Sequence, residues 1–115
     1  MSHDPNCLFC KLVAGTIPSR KVHEDDEILA FHDIAPWAPV HLLLIPKRHI
    51  TSMADVVEAD APLLGRMMAL IPRLMLDNGV SNGFRVIVNS GQDGMQEVPH
   101  LHLHAIGGPR PWAKG

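Results

Sequence analysis

At 115 residues, with 46% apolar and 19% charged side chains, the chain is expected to fold as one soluble domain, residues 1–115, around a modest core. Ten basic against twelve acidic residues leave a formal charge of −2, which excludes a general polyanion binder; Lys47-Arg48-His49 is too short for a nucleic-acid stripe and reads as a solvated loop. No apolar run approaches membrane-spanning length and no charged-then-apolar leader is visible, so a cytoplasmic protein without membrane or nucleic-acid partners is expected.

In chain order, residues 7–14 (Cys-Leu-Phe-Cys-Lys-Leu-Val-Ala) predict a short helix ended at Gly15. Residues 21–24 and 27–33 predict two strands, with Asp25-Asp26 in a hairpin turn between them. Pro36 and Pro39 frame a loop around Trp37, and the apolar run 41–46 predicts a strand stopped at Pro46. Asp60 is placed to cap the main helix, with Pro62 tolerated in its first turn. Over 63–76, Leu63, Leu64, Met67, Met68, Leu70, Ile71, Leu74 and Met75 recur at helical spacing, and Asp77-Asn78-Gly79 closes the element. The methionines read as core filler. Pro72, which lacks a backbone donor, is expected to kink or shorten this helix. Residues 84–89 predict a further strand, and the glycine-rich loop 90–96 leads to His100-Leu101-His102-Leu103-His104-Ala105-Ile106. Its alternation of histidine with apolar residues predicts a strand with one polar and one buried face. The order helix, strands, helix, strands favours an α+β fold with an antiparallel sheet.

Two features carry chemistry. Cys7 and Cys10 are the only cysteines, and C-x-x-C in a reducing compartment suggests a metal site or a redox pair before a structural disulfide. The redox reading wants a preceding strand, and the first six residues do not resemble one; two half-buried thiols in a short helix are the bland alternative. The second feature is the triplet His100, His102 and His104. On a regular strand its outer members stand about 13.6 Å apart, so they cannot converge on one ion that needs nitrogens about 2 Å away. The three must divide between tasks. Two cysteines and two imidazoles close a zinc tetrahedron, and His23, His32, His41, His49 and one end of the triplet are all candidates for the second pair. The remaining two triplet histidines, beside a glycine-rich loop whose amides can hold phosphate oxygens, suit phosphoryl chemistry.

The run 100–106 resembles the signature of the histidine triad family, His-φ-His-φ-His-φ-φ with φ apolar. The resemblance spans nearly the whole chain and favours the Hint branch: Ile17-Pro18, Glu24-Asp25, Ala30-Phe31-His32-Asp33-Ile34, Ala38-Pro39-Val40-His41, Ile45-Pro46-Lys47-Arg48-His49, Asn89 and Gly107-Gly108 all match. It implies a five-stranded antiparallel sheet with two helices per protomer, joined to a second sheet across a homodimer. It implies hydrolysis of purine nucleoside phosphoramidates, with AMP or GMP derivatives as ligands and no organic cofactor. His102 would attack the α-phosphorus, His104 assist proton transfer, His100 orient the nucleophile and His41 support the network. Asp33 would bind the ribose hydroxyls; Phe9, Leu12, Phe31, His32, Ile34 and Leu43 would wall the base and sugar. Asn89, with the backbone at Glu97 and Val98, would meet the phosphate.

Bacterial members with an N-terminal C-x-x-C imply one structural zinc per protomer on Cys7, Cys10, His49 and His100. Two departures stand out. Glu97 occupies a position where many relatives carry serine, and a carboxylate near phosphate is repulsive. The segment Pro109-Arg110-Pro111-Trp112 also differs from the usual tail. Dinucleoside polyphosphate hydrolysis, a nucleotide-binding regulator with residual activity, and zinc-dependent hydrolysis are the competing readings.

Overall fold

The computed structural model describes residues 4–115; residues 1–3, part of the strand-free stretch expected before Cys7, lie outside the described residues. Helix α1 (Leu8–Val13) is followed by strands β1 (Lys21–Glu24), β2 (Ile28–His32) and β3 (Val40–Pro46). Two short 3₁₀ turns then lead into helix α2 (Ala61–Asp77), and β4 (Phe84–Ile87) and β5 (Leu103–Gly107) complete the chain. The strands form one five-stranded sheet in the order β1-β2-β3-β5-β4, with every neighbouring pair antiparallel. The expected α+β class and antiparallel sheet are therefore present.

Strand β3 is apolar without a break from Leu42 to Pro46 because both faces of the sheet are covered at that point. Leu42 and Leu44 pack with Ile28, Ala30, Leu103 and Ala105 against the α2 residues Leu63, Met67, Ile71, Leu74 and Met75. Leu43 and Ile45 face the other way, joining Leu29 and Phe31 beneath Phe9, Cys10 and Leu12 of α1. Full burial of side chains such as Met67 and Ile71 stabilises the fold by about 1.5–3 kcal/mol each. Gly107 is needed where β5 passes closest to the end of α2, because a Cβ there would lie 2.7 Å from Val80.

Several expectations need correction. Pro72 does not shorten α2, which runs through it to Asp77 and is three residues longer than the periodic stretch suggested. Asp60 precedes α2 but its side chain does not cap it: the carboxylate accepts from the Val57 amide at 3.0 Å and pairs with Arg48. Strand β4 stops at Ile87, two residues before Asn89. The histidine run is not a single strand with a polar face, since ladder pairing begins only at Leu103. Its alternation is nevertheless real: Leu101, Leu103 and Ala105 enter the core against α2, while all three histidines are buried on other surroundings.

Candidate functional site

The three histidines diverge into two sites. His100, fully buried, sends its ring beneath α1, where Cys7 precedes the first turn and Cys10 lies one turn on. His100 Nδ1 stands 3.3 Å from Cys7 Sγ, 3.5 Å from Cys10 Sγ and 3.2 Å from His49 Nδ1; Cys10 Sγ is 3.3 Å from His49 Nδ1. A zinc tetrahedron built from ordinary bond lengths has nitrogen–nitrogen edges of about 3.3 Å and nitrogen–sulfur edges of about 3.5 Å. The donor set fits a bound metal of that kind. His100 Nε2–H donates to the Pro46 carbonyl at 2.8 Å, which leaves the Nδ1 lone pair for the cluster and fixes the orientation of the ring. Burial pushes the His100 pKa down to about 4, so the ring is neutral and ready to ligate at pH 7. Burial also raises the Cys10 thiol, with neighbouring Cys7 adding to the effect, so two adjacent thiolates here require a cation. Of the candidate histidines, His49 joins this cluster, while His23 pairs with Asp25 at 2.7 Å and His41 sits in the second site.

The second site is a cleft of about 340 Å³ on the α1 side of the sheet, with His102 and His104 among its lining residues. Both rings are buried and their centroids are 4.9 Å apart. His102 Nδ1–H donates to the backbone carbonyl of His100 at 2.7 Å, so in the neutral ring the lone pair is on Nε2. The opposite arrangement holds at His104. The Trp37 backbone N–H donates to His41 Nδ1 at 3.1 Å, which places the His41 proton on Nε2. That proton meets His104 Nδ1 at 2.9 Å, leaving His104 with Nε2–H as a donor. One ring therefore offers a lone pair and its neighbour a proton.

Burial lowers the pKa of His41, His102 and His104, His104 to about 3 with the His102 and His41 rings adding to the effect. Asp33, whose carboxylate is 3.6 Å from His41 Nε2, opposes the shift at His41. At His102 the opposing influences are the bond to His100 and the charges of Asp33 and Glu97. All these rings are neutral bases and donors at pH 7, which suits nucleophilic and proton-transfer chemistry.

Of the residues assigned to nucleotide binding, Phe9, Asp33, Leu43, Asn89, Glu97 and Val98 line this cleft. Leu12 and Phe31 lie behind it in the α1 core, where Phe9 meets Phe31 edge-on at 5.8 Å and His102 at 5.1 Å. His32 is half-buried and Ile34 wholly exposed, both outside the lining. Asn89 Nδ2 donates to the Gly94 carbonyl at 2.8 Å, tying down the 90–96 loop. Sequence reasoning passed over Trp37, whose ring stacks on His104 at 4.3 Å, and Lys114, which also lines the cleft. The two prolines around Trp37 were the available sign that its loop is held. A larger concavity, about 520 Å³, lies around Arg85, Arg110 and Trp112, but its lining holds no histidine, cysteine or carboxylate.

A family model described as "Scavenger mRNA decapping enzyme C-term binding" matches residues 6–113. Protein HitA of Neisseria gonorrhoeae is 48% identical over 104 residues, covering 90% of this chain and 97% of that one. The adenylylsulfatase HINT1 of Arabidopsis thaliana is 41% identical over 107 residues, 91% of this chain and 73% of its own. A 14 kDa zinc-binding protein of Brassica juncea is 42% identical, over 88% of this chain and 91% of its own. Among solved structures, a HIT family hydrolase from Legionella pneumophila Philadelphia 1 superposes with a TM-score of 0.88 at 47% identity, covering 91% of this chain and 95% of that one.

Proposed function

The chain belongs to the histidine triad family, and from that premise we propose that it hydrolyses purine nucleoside phosphoramidates through a nucleotidyl-histidine formed on His102. The observation that carries the reading is the pair of opposite tautomers, a lone pair at His102 Nε2 beside a proton at His104 Nε2. His102 Nε2 attacks the α-phosphorus while the P–N bond breaks, and the leaving amine takes its proton from water, with the neutral His104 ring hydrogen-bonding through Nε2–H at the phosphate and keeping that proton. Water then cleaves the P–Nε2 bond, restoring His102 and releasing the nucleoside monophosphate. His41 supports the His104 proton through their shared hydrogen bond, and the His100 carbonyl holds the nucleophile's tautomer. Asp33 accepts from the Ala35 amide through one oxygen at 2.8 Å, and the carboxylate suits paired ribose hydroxyls. The names of the Arabidopsis and Legionella relatives, an adenylylsulfatase and a hydrolase, support chemistry at a nucleotidyl phosphorus.

Zinc is the metal we assign to Cys7, Cys10, His49 and His100, on the donor set and the zinc-binding relative from Brassica juncea. It ties α1 to the sheet and supplies no step of the reaction. Reducing conditions keep these thiols available, which suits the cytoplasm. We assign the assembly as a homodimer, because β4 is an edge strand with the exposed Phe84 on it and exposed Leu76 and Met68 on α2. Light scattering tests that assignment.

The test of the reaction is intact-protein mass spectrometry after a brief mix with adenosine 5′-phosphoramidate. An adenylate-sized adduct on the wild-type chain, absent from His102→Gly, is the expected result. Neither adduct nor turnover in the wild type would overturn the enzyme reading in favour of a nucleotide-binding regulator. Comparing diadenosine polyphosphate with the phosphoramidate separates the polyphosphate-hydrolase alternative.

A further inference from the structure

Electrostatics set a problem in the cleft. Two carboxylates, Asp33 and Glu97, line it, and the ring that offers a proton, His104, is held neutral. An anionic phosphate that enters meets neutral donors and like charge. Lys114 is the one lysine or arginine among the residues lining the cleft. We propose that Lys114 is a phosphate-binding residue of this site, its ammonium held beside His104 to neutralise the charge on the phosphoryl oxygens. The proposal rests on the nucleotide reading given above.

Three contacts bring Lys114 to that place. Its backbone N–H donates to the Trp37 carbonyl at 3.1 Å, pinning the segment to the loop that orients His41. Its Nζ lies over the Trp37 ring, 4.8 Å from the centroid, and the same ring stacks on His104 with an interplanar angle of 21°. The backbone oxygen of the next residue, Gly115, accepts from the Arg85 guanidinium at 2.8 Å. An ammonium over an indole face is weakly held by the ring quadrupole, and it keeps its donors free for a ligand.

The charges in the cleft are also ordered. Lys114 acts on His104, whereas Glu97 and Asp33 act on His102. Lys114 thus brings a positive charge to the end of the cleft where Asp33 stands beside His41 and His104, while Glu97 acts at the nucleophile. Charge that grows on the phosphoryl oxygens during attack would be met by a donor pair, the His104 Nε2–H and the Lys114 ammonium. Lys114 serves only to place charge and hydrogen-bond donors, so no further transfer step is required.

Calorimetric titration of wild type, Lys114→Met and Lys114→Arg with AMP and with adenosine tests the assignment. Lys114→Met is expected to weaken AMP about tenfold, the range for one charge-assisted bond to phosphate, and to leave adenosine unchanged. Lys114→Arg, which keeps the charge, is expected to retain most of the preference for AMP. If Lys114→Met weakens both ligands equally, the residue only packs the segment; if it weakens neither, the ammonium is merely solvated. Either result overturns the proposal, and a wild type that still prefers AMP to adenosine leaves the nucleotide reading standing. A wild type that binds neither ligand overturns both.

Discussion

His100 and His102 stand two residues apart, are both buried, and each donates one ring N–H to a backbone carbonyl. The difference lies in which nitrogen does so. His100 uses Nε2 toward Pro46 and leaves Nδ1 for the thiols of Cys7 and Cys10. His102 uses Nδ1 toward His100 and leaves Nε2 for the cleft. Main-chain carbonyls thus assign one histidine to a closed cluster and the other to an open site, with no change of residue type. The two regions are not independent, because the carbonyl that fixes His102 belongs to the residue whose ring completes the cluster.

The sharpest way to break this comparison is at the cleft end. His102→Gly is expected to lower kcat by about a thousandfold or more while leaving the thermal transition close to wild type. Steady-state turnover of adenosine 5′-phosphoramidate alongside Tm checks both halves, and a folded variant with unchanged turnover would remove His102 from the mechanism. At the cluster end the pattern should invert. Cys10→Ser, or chelation of the proposed zinc, is expected to lower Tm by about 10 °C or more, the shift for a loss of a few kcal/mol in a chain of this size. Turnover should fall in step with the folded fraction; a loss of turnover at full folding would instead indicate metal-dependent chemistry.

A third prediction uses acid. Burial, with the His102 and His41 rings, holds His104 at about 3, below the ordinary histidine value of about 6.5. Between these values the unfolded chain binds the proton and the folded one resists it. The stability contributed by neutral His104 is therefore complete above about pH 6.5 and is lost as pH falls toward the folded value. His104→Gln should flatten the fall of Tm between pH 6.5 and pH 4 relative to wild type, without affecting the acid sensitivity of the metal cluster. An unchanged slope would place the acid response elsewhere. The smallest effect is expected at Glu97, which is exposed and lines the cleft. Glu97→Ser should change kcat/KM by about threefold to tenfold, by an amount that differs among leaving groups. Equal kcat and KM across several phosphoramidates would show that the carboxylate plays no part in selectivity.

Much of this was legible in the sequence because the decisive signals were periodic or local. The 3.6-residue spacing of Leu63, Met67, Ile71 and Leu74 announced α2; the division of the histidines was expected from the rise of a regular strand, although His100 and His102 lie before the ladder begins at Leu103. His49 as the cluster's fourth donor could not be derived from spacing, since it lies 39 residues from Cys10 and 51 from His100 and depends on the β3–β5 pairing. Asp60 looked like a cap because its position was right; Arg48, twelve residues earlier, and the Val57 amide drew its carboxylate away. Lys114 and Trp37 carried no motif. Their meeting across 77 residues is a property of the folded chain alone.

The stacking of Trp37 on His104 also gives the molecule a built-in optical reporter. The chain has no tyrosine and two tryptophans, so its near-ultraviolet emission comes from Trp37 and Trp112 alone. In a Trp112→Phe background, every emitted photon excited at the indole edge would originate within van der Waals reach of the His104 ring. Filling of the cleft, passage through the proposed covalent stage and departure of product could then be followed in real time, without any label attached.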